Sequence, residues 1–404
     1  IVTVSLMIAT AVIVVAKTLL KNNSNKIKAQ KTEDVSVMDE IFNGYIEELV
    51  NRDYWSGYSL QESFDVEFFD TKFSGRINRS TKDIVDNTDF IIRNIDELDW
   101  SGDFDTFILG HTMEISKMLG KDYAKIIINN CIKYKKNLYS YDNLCKYNME
   151  SVFIDNGLGL FYPTLNEMDV PYNSFGKLYY IPKPVVSICG SSSKQGKFTL
   201  QLLLRQLFLN DGYAVGQLGT EPSALLYGMD KVCSYGYGYD FALSEYPFIS
   251  AVNKMVYDIS ESNPDIILCG TQSGTIPYAY DNLNEIPLHS LEFLMGTKPD
   301  AVILCVNYHD EVSYIKRMIN TIENLIDTHV IAIVLFPLTI EYNWQGILFG
   351  SKKKLSNSEV DGFKEFMKNE VHKDVFFLGS ASEIIKLKNK IVDYFSEPIV
   401  ETIL

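Results

Sequence analysis

The chain has 404 residues, 46% hydrophobic and 13% aromatic, with a formal net charge of −15. That length and apolar content imply two hydrophobic cores and exclude a disordered chain. The acidic balance repels nucleic-acid phosphate, so no broad nucleic-acid surface is expected, although one loop of backbone N–H groups can still hold a mononucleotide.

Ile1 to Ala16 carries no charge, and Lys17, Lys21, Lys26, Lys28 and Lys31 follow. An apolar helix is expected over residues 1–31. Two placements stay open: a membrane contact through residues 1–20 with a basic cytoplasmic flank, or a buried or peripheral helix at a trimmed N-terminus. Residues 32–164 read as a Rossmann-like α/β domain. Val37–Val50 is amphipathic with helical spacing. Phe104–Gly110 reads as a strand, Ala124 to Ile128 as part of a helix, and Asn137–Ser140 as a second strand, together a βαβ unit. The domain has no Gly-x-Gly-x-x-Gly fingerprint, so no dinucleotide is assigned. His111, just after the Gly110 turn, suits a structural or a catalytic histidine.

Residues 165–184, with Pro171, Pro182 and Pro184, read as a linker. From 185 to 404 apolar runs alternate with helical patterns. Strands are expected at Val185–Cys189, Tyr213–Leu218, Asp265–Cys269, Ala301–Val306, Val330–Phe336 and Val375–Leu378. Helices are expected at about 197–210, 248–262, 310–326, 357–370 and 381–395. Runs without polar alternation suit a mostly parallel sheet covered by helices on both faces, which binds ligands at the carboxyl ends of its strands. The six cysteines show no metal or redox spacing and read as reduced, mostly buried residues of a cytoplasmic protein.

Gly190-Ser191-Ser192-Ser193-Lys194-Gln195-Gly196-Lys197-Phe198-Thr199 lies between an apolar strand and an amphipathic helix. It reads as a phosphate-binding loop: glycines let backbone N–H groups face phosphate, and the helix N-terminus adds a positive end. Lys197 would reach the β/γ-phosphates, and Lys194 could add a second cation. In the Walker A pattern four residues separate the glycines and Ser or Thr follows the lysine. Here five separate them, Phe198 follows the lysine, and Thr199 is the available hydroxyl for Mg²⁺. The bland alternative is a Ser/Gly turn opening a helix.

The spacing Gly-x5-Gly-Lys resembles the dethiobiotin-synthetase branch of P-loop enzymes. The run through Thr199 is closer to its subgroup of D-glutamate N-acetyltransferase-like proteins, and resembles cyclic 2,3-diphosphoglycerate synthetase. Val215–Ser223 and Gln272–Pro277 look most like clostridial peptide maturation system proteins of natural-product cassettes. The resemblance covers roughly residues 100–340. It implies a Rossmann-like domain before a P-loop domain, ATP and Mg²⁺ as cofactors, and a peptide or amino-acid-derived substrate; a homo-oligomer is expected as well.

In much of that subgroup the strand after the second helix ends in an acid that helps hold Mg²⁺, where this chain has Gly270. Glu221, after the second strand of the domain, is the nearest replacement; a solvated loop glutamate is the alternative. Gln272, with Ser273 and Thr275, could orient a carboxylate or the γ-phosphate, or serve only its own turn. Ser234–Asp240 reads as a Tyr/Gly-rich lid or a packed loop. Asn307 and His309 follow the fourth strand, at the rim where a base would lie. The leading expectation is an ATP-dependent ligase or activating enzyme of peptide natural-product maturation, using Lys197, Glu221 and Gln272. Coenzyme A-dependent N-acyl transfer and a non-catalytic nucleotide-binding scaffold are the alternatives.

Overall fold

The computed structural model describes residues 13–17, 65–70, 78, 91–193, 195–235, 243, 245–272, 274–278, 287–341 and 351–396. Among these, residues up to Thr164 form one compact unit and those from Leu165 a second.

The first unit carries a sheet of order β3-β2-β1-β4-β5-β6. Its strands are β1 (Ile13–Lys17), β2 (Asp65–Asp70), β3 (Arg93–Asn94), β4 (Thr106–Leu109), β5 (Asn137–Ser140) and β6 (Leu160–Phe161). β1 runs antiparallel to both β2 and β4, while β2–β3, β4–β5 and β5–β6 are parallel pairs. Every strand except β1 therefore points the same way. The strand at Ile13–Lys17 corrects the expected N-terminal helix over these residues. An apolar run fits a buried strand or a buried helix equally by periodicity, and here Ile13, Val14 and Val15 are β-branched and paired on both sides. The rest of the 1–31 run, and the pattern near Val37–Val50, lie outside the described residues. Among the described residues no helix is long and apolar enough to cross a membrane. Among the described residues the unit also has helices α1 (Met113–Leu119), α2 (Tyr123–Tyr134) and α3 (Glu150–Asp155). α2 buries Ile127, Ile128 and Cys131 against Phe107, Leu109 and Leu138.

The second unit is a seven-stranded sheet of order β15-β12-β11-β7-β10-β8-β9, with every pair parallel. The strands are β7 (Val185–Gly190), β8 (Val215–Gly219), β9 (Lys231–Val232), β10 (Ile266–Gly270), β11 (Ala301–Val306), β12 (His329–Leu335) and β15 (Val375–Phe377). Strands β13 (Leu338–Glu341) and β14 (Ser351–Lys354) form a separate antiparallel pair. Six helices are described: α4 (Lys197–Asn210), α5 (Glu245–Ser260), α6 (Leu288–Thr297), α7 (Val312–Ile326), α8 (Asn357–Val371) and α9 (Ala381–Ser396). β7, β10, β11 and most of β12 are wholly buried, which explains their unbroken apolar runs. α7 seats Ile315, Met318 and Ile322 in the core, each burial worth about 1.5–3 kcal/mol.

The run 165–184 is not a free linker. Leu165 is buried with Val185 and Phe248, and Val170 and Ile181 pack on the same cluster. The Tyr179 N–H donates to Asn253 Oδ1 at 2.7 Å. It holds only two short 3-10 turns, Glu167–Asp169 and Ser174–Gly176, and packs without a longer element.

Candidate functional site

β7 lies at the middle of the sheet between β11 and β10, so the loop leaving its carboxyl end stands where a parallel sheet accepts ligands. The loop enters α4 through Gly196, which has φ +73°. A Cβ there would meet Leu378 Cδ2 at 2.5 Å, so both conformation and space demand glycine. Lys197 is the first residue of α4. It is buried rather than solvent-facing, and its Nζ donates to the Ser192 carbonyl at 2.7 Å.

Gln195 folds back into the loop. Its Oε1 accepts from Ser192 N–H at 3.0 Å, and its Nε2 donates to the Ser191 hydroxyl. Ser191 in turn donates to Asp310, which also accepts from Asn307 N–H at 2.7 Å. The Asn307 amide donates to Ser192 Oγ at 3.3 Å. Burial pushes the Asp310 carboxyl pKa up, against the hydrogen bonds from Ser191 and Asn307. The Tyr314 hydroxyl lies 2.8 Å from the Ser191 carbonyl and 3.0 Å from that of Ile276. Thr275 ties the third side of the loop by donating to the Gly190 carbonyl from its N–H and its hydroxyl. The structure thus brings Gly190, Ser191, Ser192, Gln195, Gly196, Lys197 and Asn307 together. Ser193 is an exposed member of the same turn. Lys194, Ser273 and Gly236–Asp240 of the expected lid lie outside the described residues.

The two positions after Lys197 differ in use. Phe198 is buried, edge-on to Tyr227 with centroids 5.4 Å apart. Thr199 is also buried, about 100° further round the helix. The aromatic therefore takes the usual hydroxyl position for packing.

Gly270 ends β10, the immediate neighbour of β7. A Cβ at Gly270 would stand 2.6 Å from Gln201 Oε1, so an acid cannot fit while Gln201 keeps its place. Glu221 follows β8, which pairs with β10 and not with β7. Gln272 is engaged: its side chain donates to the Thr220 carbonyl at 3.0 Å, its N–H to the Tyr235 hydroxyl at 3.0 Å, and its carbonyl accepts from Ser290 at 2.9 Å. This amide braces the ends of β10 and β8. His309 is exposed. In the first unit His111 Nδ1 lies 3.2 Å from the buried Asp142, which also accepts from Thr112 N–H at 2.6 Å.

The sequence reading missed Asp310, Tyr314 and Gln201. Asp310 and Tyr314 follow a buried strand beside β7, which only the strand order reveals. Gln201 did leave a signal, being a lone amide among Leu200, Leu202, Leu203 and Leu204.

The candidates for magnesium, the Thr199 hydroxyl and Glu221 expected from the sequence and the buried amide oxygen of Gln201, are all oxygen donors. That chemistry suits a hard cation. Among the described residues no group of three or more His, Cys, Asp or Glu side chains could hold a metal by itself.

Residues 175–343 match the family model described as a domain of unknown function, the DUF1611 C-terminal P-loop domain. No curated protein matches the chain. Among solved structures, a DUF1611 family protein from Anabaena variabilis aligns with TM-score 0.57 and 14% identity, over 79% of this chain and 89% of that one. A nucleotide-binding protein from Archaeoglobus fulgidus in complex with ADP aligns with TM-score 0.33 and 14% identity, over 53% and 88%. The MinD cell division protein of Aquifex aeolicus aligns with TM-score 0.32 and 17% identity, over 54% and 98%. The first of these shows a shared fold. Residues 175–343 are a P-loop domain on a mostly parallel α/β sheet.

Proposed function

We propose that the second unit is an ATP- and magnesium-dependent ligase or activating enzyme, joining a peptide or amino-acid-derived carboxylate to a second group. The observation that carries this reading is the buried Lys197 at the start of α4, inside a loop of backbone amides at the central strand. Phosphoryl transfer asks a protein mainly to position phosphate and to neutralise its charge. Lys197 would leave the Ser192 carbonyl for the β/γ-phosphates, and the N–H groups at the start of α4 would meet phosphate oxygens. Thr199, with Glu221 directly or through water, would hold the magnesium ion, which supplies charge neutralisation between the phosphates.

The test is calorimetry with ATP and Mg²⁺ on wild type and Lys197→Ala. Loss of a charge-assisted hydrogen bond worth about 1.5–3 kcal/mol should weaken binding roughly 10- to 100-fold. Unchanged affinity in the folded variant would remove the phosphate-loop role. Glu221→Gln should then lower Mg²⁺-dependent turnover at least ~10-fold while sparing much of the binding.

Gly270 favours a second reading, a nucleotide-binding scaffold that turns nothing over. Wild type that binds ATP yet shows no turnover with any carboxylate or peptide acceptor supports that reading instead.

A further inference from the structure

Gln201 lies one turn beyond Lys197 on α4, so the two side chains share the face turned to the sheet. Its Nε2 donates to two carbonyls, Leu218 of β8 and Leu268 of β10, each at 3.0 Å. Two acceptors at that end identify it as the nitrogen, so the oxygen faces the other way. Gln201 Oε1 is buried and has no hydrogen-bond partner among the described residues. Buried acceptors are almost always paired, and an orphan in a native fold points to a water or an ion.

The place of this orphan is informative. It lies 2.6 Å from where a Cβ at Gly270 would stand, and the Thr220 hydroxyl oxygen is 3.6 Å from the same point. The amide oxygen thus fills the space that an acidic side chain at the end of β10 would enter. Gly270 and Gln201 act as a matched pair, since the bare backbone of one makes room for the side chain of the other.

We propose that Gln201 Oε1, delivered from α4, stands in for the missing carboxylate and accepts from a water held by the nucleotide's magnesium ion. The inference rests on the nucleotide reading above and adds the residue that replaces the acid. A neutral amide orients such a water without adding negative charge. Magnesium should therefore tighten nucleotide binding less than it would beside a carboxylate.

The experiment titrates the 404-residue chain with ADP by calorimetry, with Mg²⁺ or with EDTA, and reads the ratio of the two affinities. Wild type should show a measurable Mg²⁺ gain, and Gln201→Ala should lose most of it. Gly270→Asp alone should lower the melting temperature, because its Cβ meets Gln201. Gly270→Asp combined with Gln201→Ala should recover the melting temperature and raise the Mg²⁺ gain at least ~10-fold above wild type. The inference is overturned if Gln201→Ala keeps the wild-type gain, or if the double variant, folded by its melting curve, gains nothing. If Gln201→Ala fails to fold, the double variant decides alone. ADP binding that ignores Mg²⁺ in wild type and double variant overturns this inference and leaves the phosphate loop standing. No ADP binding under any condition overturns the nucleotide reading itself.

Discussion

The side-chain oxygen of Gln195 accepts the amide proton of Ser192 at 3.0 Å, so one backbone donor of the loop is taken by its own glutamine. A phosphate oxygen competes with that amide for the same N–H. Gln195→Ala should therefore bind ATP more tightly. One net hydrogen bond of about 0.5–1.5 kcal/mol corresponds to a gain of roughly 2- to 10-fold. Calorimetry decides, and weaker binding would make Gln195 part of the cradle rather than its plug.

Phe198 tests whether the hydroxyl missing after Lys197 matters more than the packing that replaced it. Phe198→Thr restores the common residue type at that position but removes the edge-on contact with Tyr227. Loss of a buried aromatic should cost on the order of 3 kcal/mol of stability. Nucleotide affinity should not rise. Denaturant unfolding alongside ATP titration checks both halves.

Asp310 makes the stability pH-dependent in a stated direction. Burial raises its carboxyl pKa in the folded protein. A raised acid contributes stability below its unfolded value and loses that contribution as pH rises through the folded one. Asp310→Asn lacks this term, so the stability difference, variant minus wild type, should move in the variant's favour as pH goes from 4 to 7. A constant difference across parallel melting curves would show that the carboxyl does not titrate in this window.

The six cysteines should separate by exposure. Cys145 is exposed, and the other five are buried. Burial pushes the Cys189, Cys233 and Cys305 thiols up to about 12, and raises those of Cys131 and Cys269 as well. Only thiolates react readily, so a thiol reagent at neutral pH should modify one group quickly in native protein and six after denaturation. More than one fast group in folded protein would contradict the burial.

Much of the second unit is legible in the sequence because its signals are local. Ala301–Val306 is an unbroken apolar run that only a strand covered on both faces uses, and it forms β11 with those same bounds. Helix α4 likewise begins at Lys197, because the glycine before it supplies the one conformation that lets the loop turn inward. Where the sequence reading failed, the deciding contact is distant in the chain. Ile13–Lys17 is a strand because β2 and β4 pair with it; Ile13, Val14 and Val15 are β-branched, but the periodicity of so short an apolar run does not separate a strand from a helix. The weak β9 and the β13–β14 pair have too few residues to leave a periodic signal. At the site, Asp310 reaches Ser191 across 119 positions, and Gln201 reaches Leu268 across 67. Strand order creates both relationships: β11 and β10 flank β7, so the ends of elements far apart in sequence converge on one loop. Local composition determines that a phosphate loop exists. Only the packed sheet decides which side chains fill it, because hydrogen bonds and close approaches depend on distance in space and not on separation along the chain.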